Sequence, residues 1–239
     1  MWARDISFED PQKNILFDEV LYHLAETDQA GEAIRFWESP VYFIVLGRIG
    51  KINEDVQREA VGKDRIPVLR RASGGGTVLQ GKGCLNYTLI LSKESRKDIR
   101  DLKKSYQYIL GHIVEALKST GVEADYFPVS DIALKRNRKK ISGNAQKRGR
   151  HFIMHHGTVL LDFDLPLIEK YLTMPEDIPE YRQKRGHLDF VSNTGISSRQ
   201  FKDALKASFG VTQEKKNMSA LEEKYLNEFL SAKESLVKV

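Results

Sequence analysis

The sequence predicts an α+β fold, a mixed β-sheet flanked by helices, and three observations carry that prediction. The hydrophobic periodicities run in the order helix, strands, helix, strands, helices, which is not the strict alternation of a parallel doubly wound fold. The chain has 239 residues, enough to bury one good core. Its 41% hydrophobic and 30% charged residues are ordinary for a globular protein.

Phe17, Val20, Leu21 and Leu24 recur at helical spacing and predict an early helix. Residues 36–37 and 41–46 read as strands broken by Ser39-Pro40. Leu85, Tyr87, Leu89 and Leu91 alternate with Asn86, Thr88 and Ile90, a strand with one well-buried face. Ile99, Leu102, Tyr106, Ile109, Ile113 and Leu117 step by three or four, so the clearest helix runs here, with Gly121 just past its end. Short strands follow at 132–134, 140–145 and 153–161, separated by basic, Asn- or Gly-containing turns. Phe201, Leu205 and Phe209 mark a further helix. Ser219-Ala220-Leu221-Glu222 is a capping box that opens the last one. Residues 210–218 are a candidate linker to it.

No apolar run is long enough to cross a bilayer. The start, Met1-Trp2-Ala3-Arg4-Asp5, lacks the apolar core of a secretory signal, so the expected location is cytoplasmic. The single cysteine, Cys84, excludes an internal disulfide and a cysteine-based zinc site. It reads as a small buried hydrophobe rather than a nucleophile. The net charge is +5, which suggests an anionic partner without naming it. Lys135, Arg136, Arg138, Lys139 and Lys140 concentrate that charge, followed by Lys147, Arg148 and Arg150.

Three segments carry chemistry. The first is Arg70-Arg71-Ala72-Ser73-Gly74-Gly75-Gly76-Thr77-Val78, after the strand-like Val68 and Leu69. Three glycines let the backbone bend and approach a ligand closely, and the exposed N–H groups of such a loop form an anion-binding concavity. Two arginines add donors suited to phosphate or carboxylate. The loop matches neither the Walker-type phosphate loop nor the dinucleotide fingerprint. The competing reading is a flexible hairpin turn with two solvated arginines. The second segment is Lys139-Lys140-Ile141-Ser142-Gly143-Asn144-Ala145-Gln146. Strict alternation places Lys140, Ser142 and Asn144 on one face and Ile141 on the other. A strand-borne lysine facing a cleft could neutralise charge as a carboxylate and a phosphate join; the alternative is a charged hairpin tip. The third is Met154-His155-His156-Gly157-Thr158. Adjacent histidines on a strand point to opposite faces, so metal binding is not expected there. Asp131 is a candidate magnesium or ribose ligand near the basic strand, or simply a solvated turn residue. Trp37 and Phe36 read as core.

Taken together, these segments resemble the lipoate–protein ligase A family of the biotin/lipoate ligase superfamily, in its short form without a C-terminal accessory domain. Arg70-Arg71-x-Ser-Gly-Gly-Gly-Thr-Val resembles the family's glycine-rich loop. Leu46-Gly47-Arg48 resembles the Ile-Gly-Arg ending an earlier strand, and Asp131-Ile132 the Asn-Asp-Leu pair, with Ser130 in place of the asparagine. Lys140-Ile141-Ser142-Gly143-Asn144-Ala145 resembles Lys-Val/Ile-Ser-Gly-Ser-Ala, and His155-His156-Gly157-Thr158 matches His-His-Gly-Thr. Five ordered matches are far more specific than any one of them.

The resemblance implies a catalytic domain over residues 1–210 with a helical extension of the same domain over 211–239. It implies ATP, Mg²⁺ and lipoate (or octanoate), an acyl-AMP intermediate, and transfer to a lysine of a lipoyl carrier. That carrier would be a glycine cleavage H protein or a 2-oxoacid dehydrogenase lipoyl domain, with no membrane and no nucleic acid involved. Lys140 would be catalytic, touching the acyl carbonyl and the α-phosphate. Arg71 and the backbone from Gly76 through Thr77 and Val78 to Leu79 would hold phosphates, and Gly74 and Gly75 would fold over the acyl chain. Arg70, Ser73, Asp131, Ser142, Gly143, Ala145, His156, Gly157 and Thr158 complete the expected ATP and acyl-AMP site, with Asp131 a candidate Mg²⁺ ligand. Some short members need a separate accessory polypeptide. The rival within the superfamily is an octanoyltransferase, which works through a cysteine. This sequence has Val129-Ser130 and Thr173-Met174-Pro175 where those cysteines would fall. The rival of another class is a non-catalytic basic nucleic-acid-binding module, but no interleaved aromatic platform accompanies residues 135–150.

Overall fold

The computed structural model describes residues 1–232 and Val237, except Val129 and Asp177. Val129 and part of the extension expected over 211–239 therefore lie outside the described residues. The chain opens as β1 (Trp2–Asp5). Asp10 then caps α1 (Pro11–Glu26) by accepting from the Gln12 amide, and Pro11, which has no N–H to leave orphaned, stands in the first turn. β2 (Ala33–Trp37), β3 (Phe43–Leu46) and two short helices, α2 (Ile52–Asp55) and α3 (Arg58–Asp64), follow. β4 (Val68–Arg70), β5 (Val78–Gln80) and β6 (Cys84–Ser92) complete the first half. The helix expected to include Ile99 begins later. Residues Lys97–Arg100 form a separate 3-10 turn that buries Ile99, and Asp101 caps α4 (Leu102–Ser119) by accepting from the Lys104 amide. Leu102 thereby falls in an exposed first turn instead of the apolar stripe.

The second half runs β7 (Ala124–Phe127), β8 (Asp131–Leu134), β9 (Lys140–Arg148), β10 (Phe152–Leu160), α5 (Pro166–Tyr171), α6 (His187–Phe190), α7 (Ser198–Ser208), β11 (Gln213–Glu214) and α8 (Ala220–Ala232). Ser219 and Glu222 form the expected capping box, each backbone amide donating to the other's side chain. Residues 210–218 are more than a linker, because β11 lies parallel to β1 on the sheet edge.

The fold is α+β with a mixed sheet. Eight strands run in the order β11-β1-β2-β6-β10-β9-β8-β7, and a second sheet has the order β4-β3-β5. The β11-β1-β2 and β3-β4 contacts are parallel and the others antiparallel. Period-two alternation gives the large sheet two different faces. Leu85, Tyr87, Leu89 and Leu91 of β6 pack with Ile109, Ile113 and Leu117 of α4 and Phe201 and Leu205 of α7. Ile90 and Met154 pack on the other face with Leu16, Phe17, Val20 and Leu21 of α1, which in turn holds Leu226 of α8. The small sheet closes beside α1, joining Cys84 and Leu160 to Ile44, Leu46 and Leu79. No described helix is long and apolar enough to cross a membrane.

Candidate active site

The α1 face of the large sheet is polar where the α4 face is oily. Register places Arg35, Thr88, His156 and Ala145 side by side on β2, β6, β10 and β9. The neighbouring row is Trp37, Asn86 and Thr158, and Asp131 of β8 pairs with Gly143 of β9. A cavity of about 340 Å³ crosses these strands, roofed by α1 and by the small sheet through Val45, Val78 and Leu79. One wall is fixed by a buried network. Arg35 donates to Asp18 Oδ1 at 2.6 Å and to Asn14 Oδ1 at 2.9 Å, and Trp37 Nε1 donates to Asp18 Oδ2 at 3.2 Å.

Lys140 reaches this cavity by a route that simple alternation does not give. The β8–β9 ladder steps from Ile132–Ser142 to Ala133–Lys140, so Ile141 is an extra residue in β9. Such a bulge resets the facing of the residues before it. Lys140 consequently joins Gly143 and Asp131, not Ser142 and Asn144 as alternation predicts. A Cβ on Gly143 would sit 3.1 Å from the Lys140 Nζ, tighter than an ordinary contact, so the bare glycine gives the ammonium room. The Nζ lies 2.8 Å from Asp131 Oδ1, with the two side chains 28% and 14% exposed. The other Asp131 oxygen accepts from the Tyr181 hydroxyl at 2.7 Å. Ser142 and Asn144 enter a polar cluster towards α4. There Asn144 Oδ1 accepts from the Tyr87 hydroxyl and lies 3.1 Å from His155 Nε2, while its Nδ2 donates to the Ser130 carbonyl. Gly157 is the gap that admits this cluster, since its Cβ would lie 2.1 Å from Asn144 Oδ1.

The glycine-rich loop is built differently. Arg71 is buried and spends its guanidinium on the loop itself. It donates to Gly74 O at 2.7 Å, Gly76 O at 2.8 Å, Val45 O at 3.3 Å and Ser73 Oγ at 3.0 Å. Burial pushes its pKa down to about 10. Arg70 reaches the carbonyls of Gly47, Arg48 and Gly50. Arg71 is buried with its fork committed, contrary to a plain hairpin tip, while Arg70 is partly buried and reaches its three carbonyls through Nη1 alone. Gly75 has φ +86°, a conformation that costs an L side chain, and its carbonyl comes so near Gly47 that a Cβ there would be 2.0 Å away. Thr77 donates to Asp55 Oδ2 at 2.6 Å, tying the far end of the loop to α2.

Ser73 connects loop and sheet. Its Oγ is 2.6 Å from His156 Nε2. It also accepts from Arg71 Nε, and its own hydroxyl proton can be given to the imidazole when Nε2 is the unprotonated nitrogen. Burial, with the Arg71 charge and His155 beside it, pushes His156 down to about 3. His155 faces the other side, as alternation predicts, and burial pushes it to about 3 as well. Cys84 borders the cavity but is 1% exposed. Burial first, then the nearby Glu38 charge, pushes its thiol up to about 12.

The expected residues Arg71, Gly75, Gly76, Thr77, Val78, Leu79, Asp131, Lys140, Ser142, Gly143, Ala145, His156, Gly157 and Thr158 all border the cavity. Arg70, Ser73 and Gly74 support it through the bonds above. Sequence reasoning missed several others. Asn86 and Thr88 lay on the face of β6 read as secondary, and Trp37 was read only as core. Thr173, Arg182, His187 and Phe190 come from the segment after β10, which closes one end of the cavity. Arg182 is buried, with its guanidinium 4.5 Å from the Phe190 ring centroid. The Ser192 amide donates to the Lys140 carbonyl, so this segment is anchored on β9. Among the described residues, no group of three or more His, Cys, Asp or Glu side chains could hold a metal ion. Asp131 offers one carboxylate, which suits Mg²⁺ only alongside phosphate oxygens and water.

The profile described as lipoyl protein ligase A/B catalytic domain matches residues 10–210. A putative lipoate-protein ligase A of Schizosaccharomyces pombe is 36% identical over 192 residues, covering 80% of this chain and 50% of that protein. A probable lipoate-protein ligase A of Mycoplasma pneumoniae is 29% identical over 69% of this chain and 46% of its own length. The chain thus spans about half the length of these two relatives. The octanoyltransferase LipM of Oceanobacillus iheyensis is 24% identical over 84% of this chain and 79% of that protein. Among solved structures, a lipoate-protein ligase A bound with ATP has TM-score 0.81 at 20% identity, covering 98% of this chain and 96% of that one. A bipartite lipoate protein ligase of Thermoplasma acidophilum, described with its lipoyl domain, has TM-score 0.81 at 20% identity over 97% and 92%. At that identity the likeness establishes the fold.

Proposed function

We propose that this chain, which belongs to the lipoyl protein ligase A/B catalytic-domain family, activates lipoate or a close medium-chain acid with ATP and passes the acyl group to a lysine of a lipoyl carrier. The observation that carries this reading is Lys140, held over Gly143 and against Asp131 at the β8–β9 end of a medium-sized cavity. In the first step a carboxylate oxygen bonds to the α-phosphorus and pyrophosphate leaves. Two anions must meet, so a cation fixed at the junction lowers the barrier. Lys140 fills that role for the carboxylate and the α-phosphate. The glycine-rich loop contributes backbone N–H groups and a shaped roof, while Arg71 holds the loop in form. Mg²⁺ would be held by Asp131 with nucleotide phosphates and would supply charge neutralisation. In the second step the carrier amine attacks the acyl carbonyl, AMP departs, and the amine proton is lost.

Residues 1–210 form the catalytic unit in this reading, and the extension from 211 belongs to the same domain through β11 and α8. The carrier is a lipoyl domain or an H protein, and a separate accessory polypeptide is an allowed partner, as in the bipartite Thermoplasma ligase. The basic hairpin around Arg136 and Arg138 suits an acidic carrier surface. Purified protein with ATP, Mg²⁺, lipoate and a carrier should release pyrophosphate only when lipoate is present, and the carrier should gain the lipoyl mass. Lipoate-independent release would sink the proposal.

The second reading, an octanoyltransferase, is favoured by the likeness to LipM. It needs a reactive thiol. Cys84 is buried with its thiol raised to about 12, which supports the ATP route instead.

A further inference from the structure

Adenylation sends charge onto a departing pyrophosphate. Lys140 is given to the carboxylate and the α-phosphate, and Arg71 is committed to its own loop. Arg182 is the remaining arginine or lysine on the cavity wall, and it is 4% exposed. Among the described residues it forms no ion pair with a carboxylate. Its Nε donates to Arg185 O at 2.9 Å, and its Nη2 meets Met174 Sδ at 3.0 Å and His187 Nδ1 at 3.4 Å. A thioether is a weak acceptor, and 3.4 Å is a long contact for a hydrogen bond. Burial lowers the Arg182 pKa, and Asp131 is the one carboxylate that acts against this. Asp131 Oδ1, however, is already 2.8 Å from the Lys140 Nζ. Two cations thus share one anion. Buried charges in proteins are paired, so an under-paired one on a cavity wall marks the place of an anionic ligand.

The backbone is built to hold Arg182 there. It ends the short 3-10 turn Glu180–Arg182, and Gln183 and Lys184 follow with φ +52° and +61°, left-handed values that neither side chain favours. Arg182 and Arg185 clasp each other, each Nε donating to the other's carbonyl. Such strain persists where the surrounding structure fixes a working geometry. Its placement fits the reaction. Tyr181, the preceding residue, donates to Asp131 Oδ2, and His187 feels the Lys140 charge. Arg182 and Lys140 therefore meet the same carboxylate and the same imidazole from different sides. A phosphate chain with its α-phosphorus at Lys140 would bring its outer phosphates to a fork that matches two phosphate oxygens.

We infer that Arg182 takes the leaving group, its guanidinium holding the β- and γ-phosphates of ATP and receiving the charge released as pyrophosphate departs. In that step the carboxylate oxygen bonds to the α-phosphorus. The bond from the α-phosphorus to the bridging oxygen breaks, and its electron pair goes to pyrophosphate. A donor fixed at that oxygen's side acts most strongly in the transition state. Acyl-AMP carries no β-phosphate, so the second step does not use this contact. The inference rests on the acyl-ligase reading above and names the residue that handles its leaving group.

The test compares the two half-reactions in the full chain. Arg182→Gln keeps a hydrogen-bonding side chain and removes the charge. It should slow lipoyl-AMP formation from ATP and lipoate at least about 30-fold more than it slows transfer from preformed lipoyl-AMP to the carrier. Arg182→Lys, with the charge but no fork, should fall between wild type and Arg182→Gln. Calorimetry with inorganic pyrophosphate and Mg²⁺ gives a second readout, and binding should weaken at least about tenfold in Arg182→Gln and severalfold in Arg182→Lys. Equal losses in the two half-reactions would make the residue structural and overturn the inference, as would undiminished pyrophosphate binding in both variants. Should Arg182→Gln fail to fold, the pyrophosphate affinity of Arg182→Lys decides in the same way. Arg182-dependent pyrophosphate binding by a wild type that makes no lipoyl-AMP would count against the ligase reading alone. Lipoyl-AMP formation with equal losses would count against this inference alone.

Discussion

Two cationic regions border one cavity, and they do different work. At the glycine-rich arch, Arg71 is 8% exposed and its donors are consumed by the carbonyls of Val45, Gly74 and Gly76. At the β8–β9 corner, Lys140 is 28% exposed and answers to one carboxylate oxygen, Asp131 Oδ1. A buried guanidinium tied to its own backbone is a framework element, because its donors are already satisfied. A half-exposed ammonium with a single ion-pair partner can change partners when a carboxylate and a phosphate arrive. Basic residue counts do not distinguish the two; the identity of the acceptors does.

The largest expected effect breaks the comparison at the corner. Lys140→Ala should lower acyl-AMP formation by at least about 100-fold, the scale of removing one group aimed at developing charge. Its stability should barely move, because a partly exposed ion pair contributes only about 0–1 kcal/mol. Pyrophosphate release and a urea melt on the same sample check both halves. A fully active Lys140→Ala protein would remove the chemical role.

The next effect falls on the arch and has the opposite signature. Arg71→Met should cost about 3 kcal/mol of stability, since buried carbonyls lose their donors. Activity should fall as a consequence. Arg71→Lys should recover little, because an ammonium cannot reproduce a fork that spans several carbonyls. A stable but inactive Arg71→Met protein would contradict the division and make Arg71 a ligand of the nucleotide.

Acid sharpens the comparison further. His155 and His156 are held neutral, each pushed to about 3. Both folded values lie below the unfolded one, so below pH ~6.5 the unfolded chain binds more protons. Their contribution to stability is therefore complete above about 6.5 and declines as the pH falls towards 3. For the fully buried His155 the decline is about 1 kcal/mol per pH unit, and His155→Gln should flatten it. Protonating His156 also puts a cation beside the Arg71 charge, so acid should loosen the arch before the corner. Urea midpoints at pH 7 and pH 5 measure the slope. Equal midpoints in wild type would refute the neutral pair.

Much of this arrangement was legible in the sequence. The core faces of α1, β6, α4 and α7 followed from their periodicity, and the ordered motifs brought fourteen of the expected site residues to one cavity. What was not legible has physical reasons. A single bulge at Ile141 inverts the facing of Lys140, and no side-chain pattern marks it. The partners of Arg70 and Arg71 are backbone carbonyls of the distant residues Gly47 and Val45, and backbone groups leave no trace in residue identity. Asn86 and Thr88 did leave a trace. A strand whose oily face is complete yet whose second face is polar at consecutive alternate positions borders a cavity more readily than solvent when its neighbours on both sides are also strands.

The smallest expected effect tests whether any third region carries the acyl group. A cysteine route needs a thiolate that can attack a thioester carbonyl, with the carrier thiol leaving and the acyl group resting on sulfur. Cys84 is the chain's one cysteine. Burial and Glu38 hold its thiol near 12 despite a hydrogen bond with Thr158, so the thiolate fraction at neutral pH is negligible. Replacement by alanine removes the sulfur and little volume. Cys84→Ala should keep lipoate-dependent pyrophosphate release within about twofold of wild type, as expected for an inert buried thiol. If that variant instead lost transfer from an octanoyl carrier protein while wild type performed it without ATP, the acyl group would travel on sulfur. Lys140 would then stabilise a thioester's tetrahedral oxyanion instead of a phosphate.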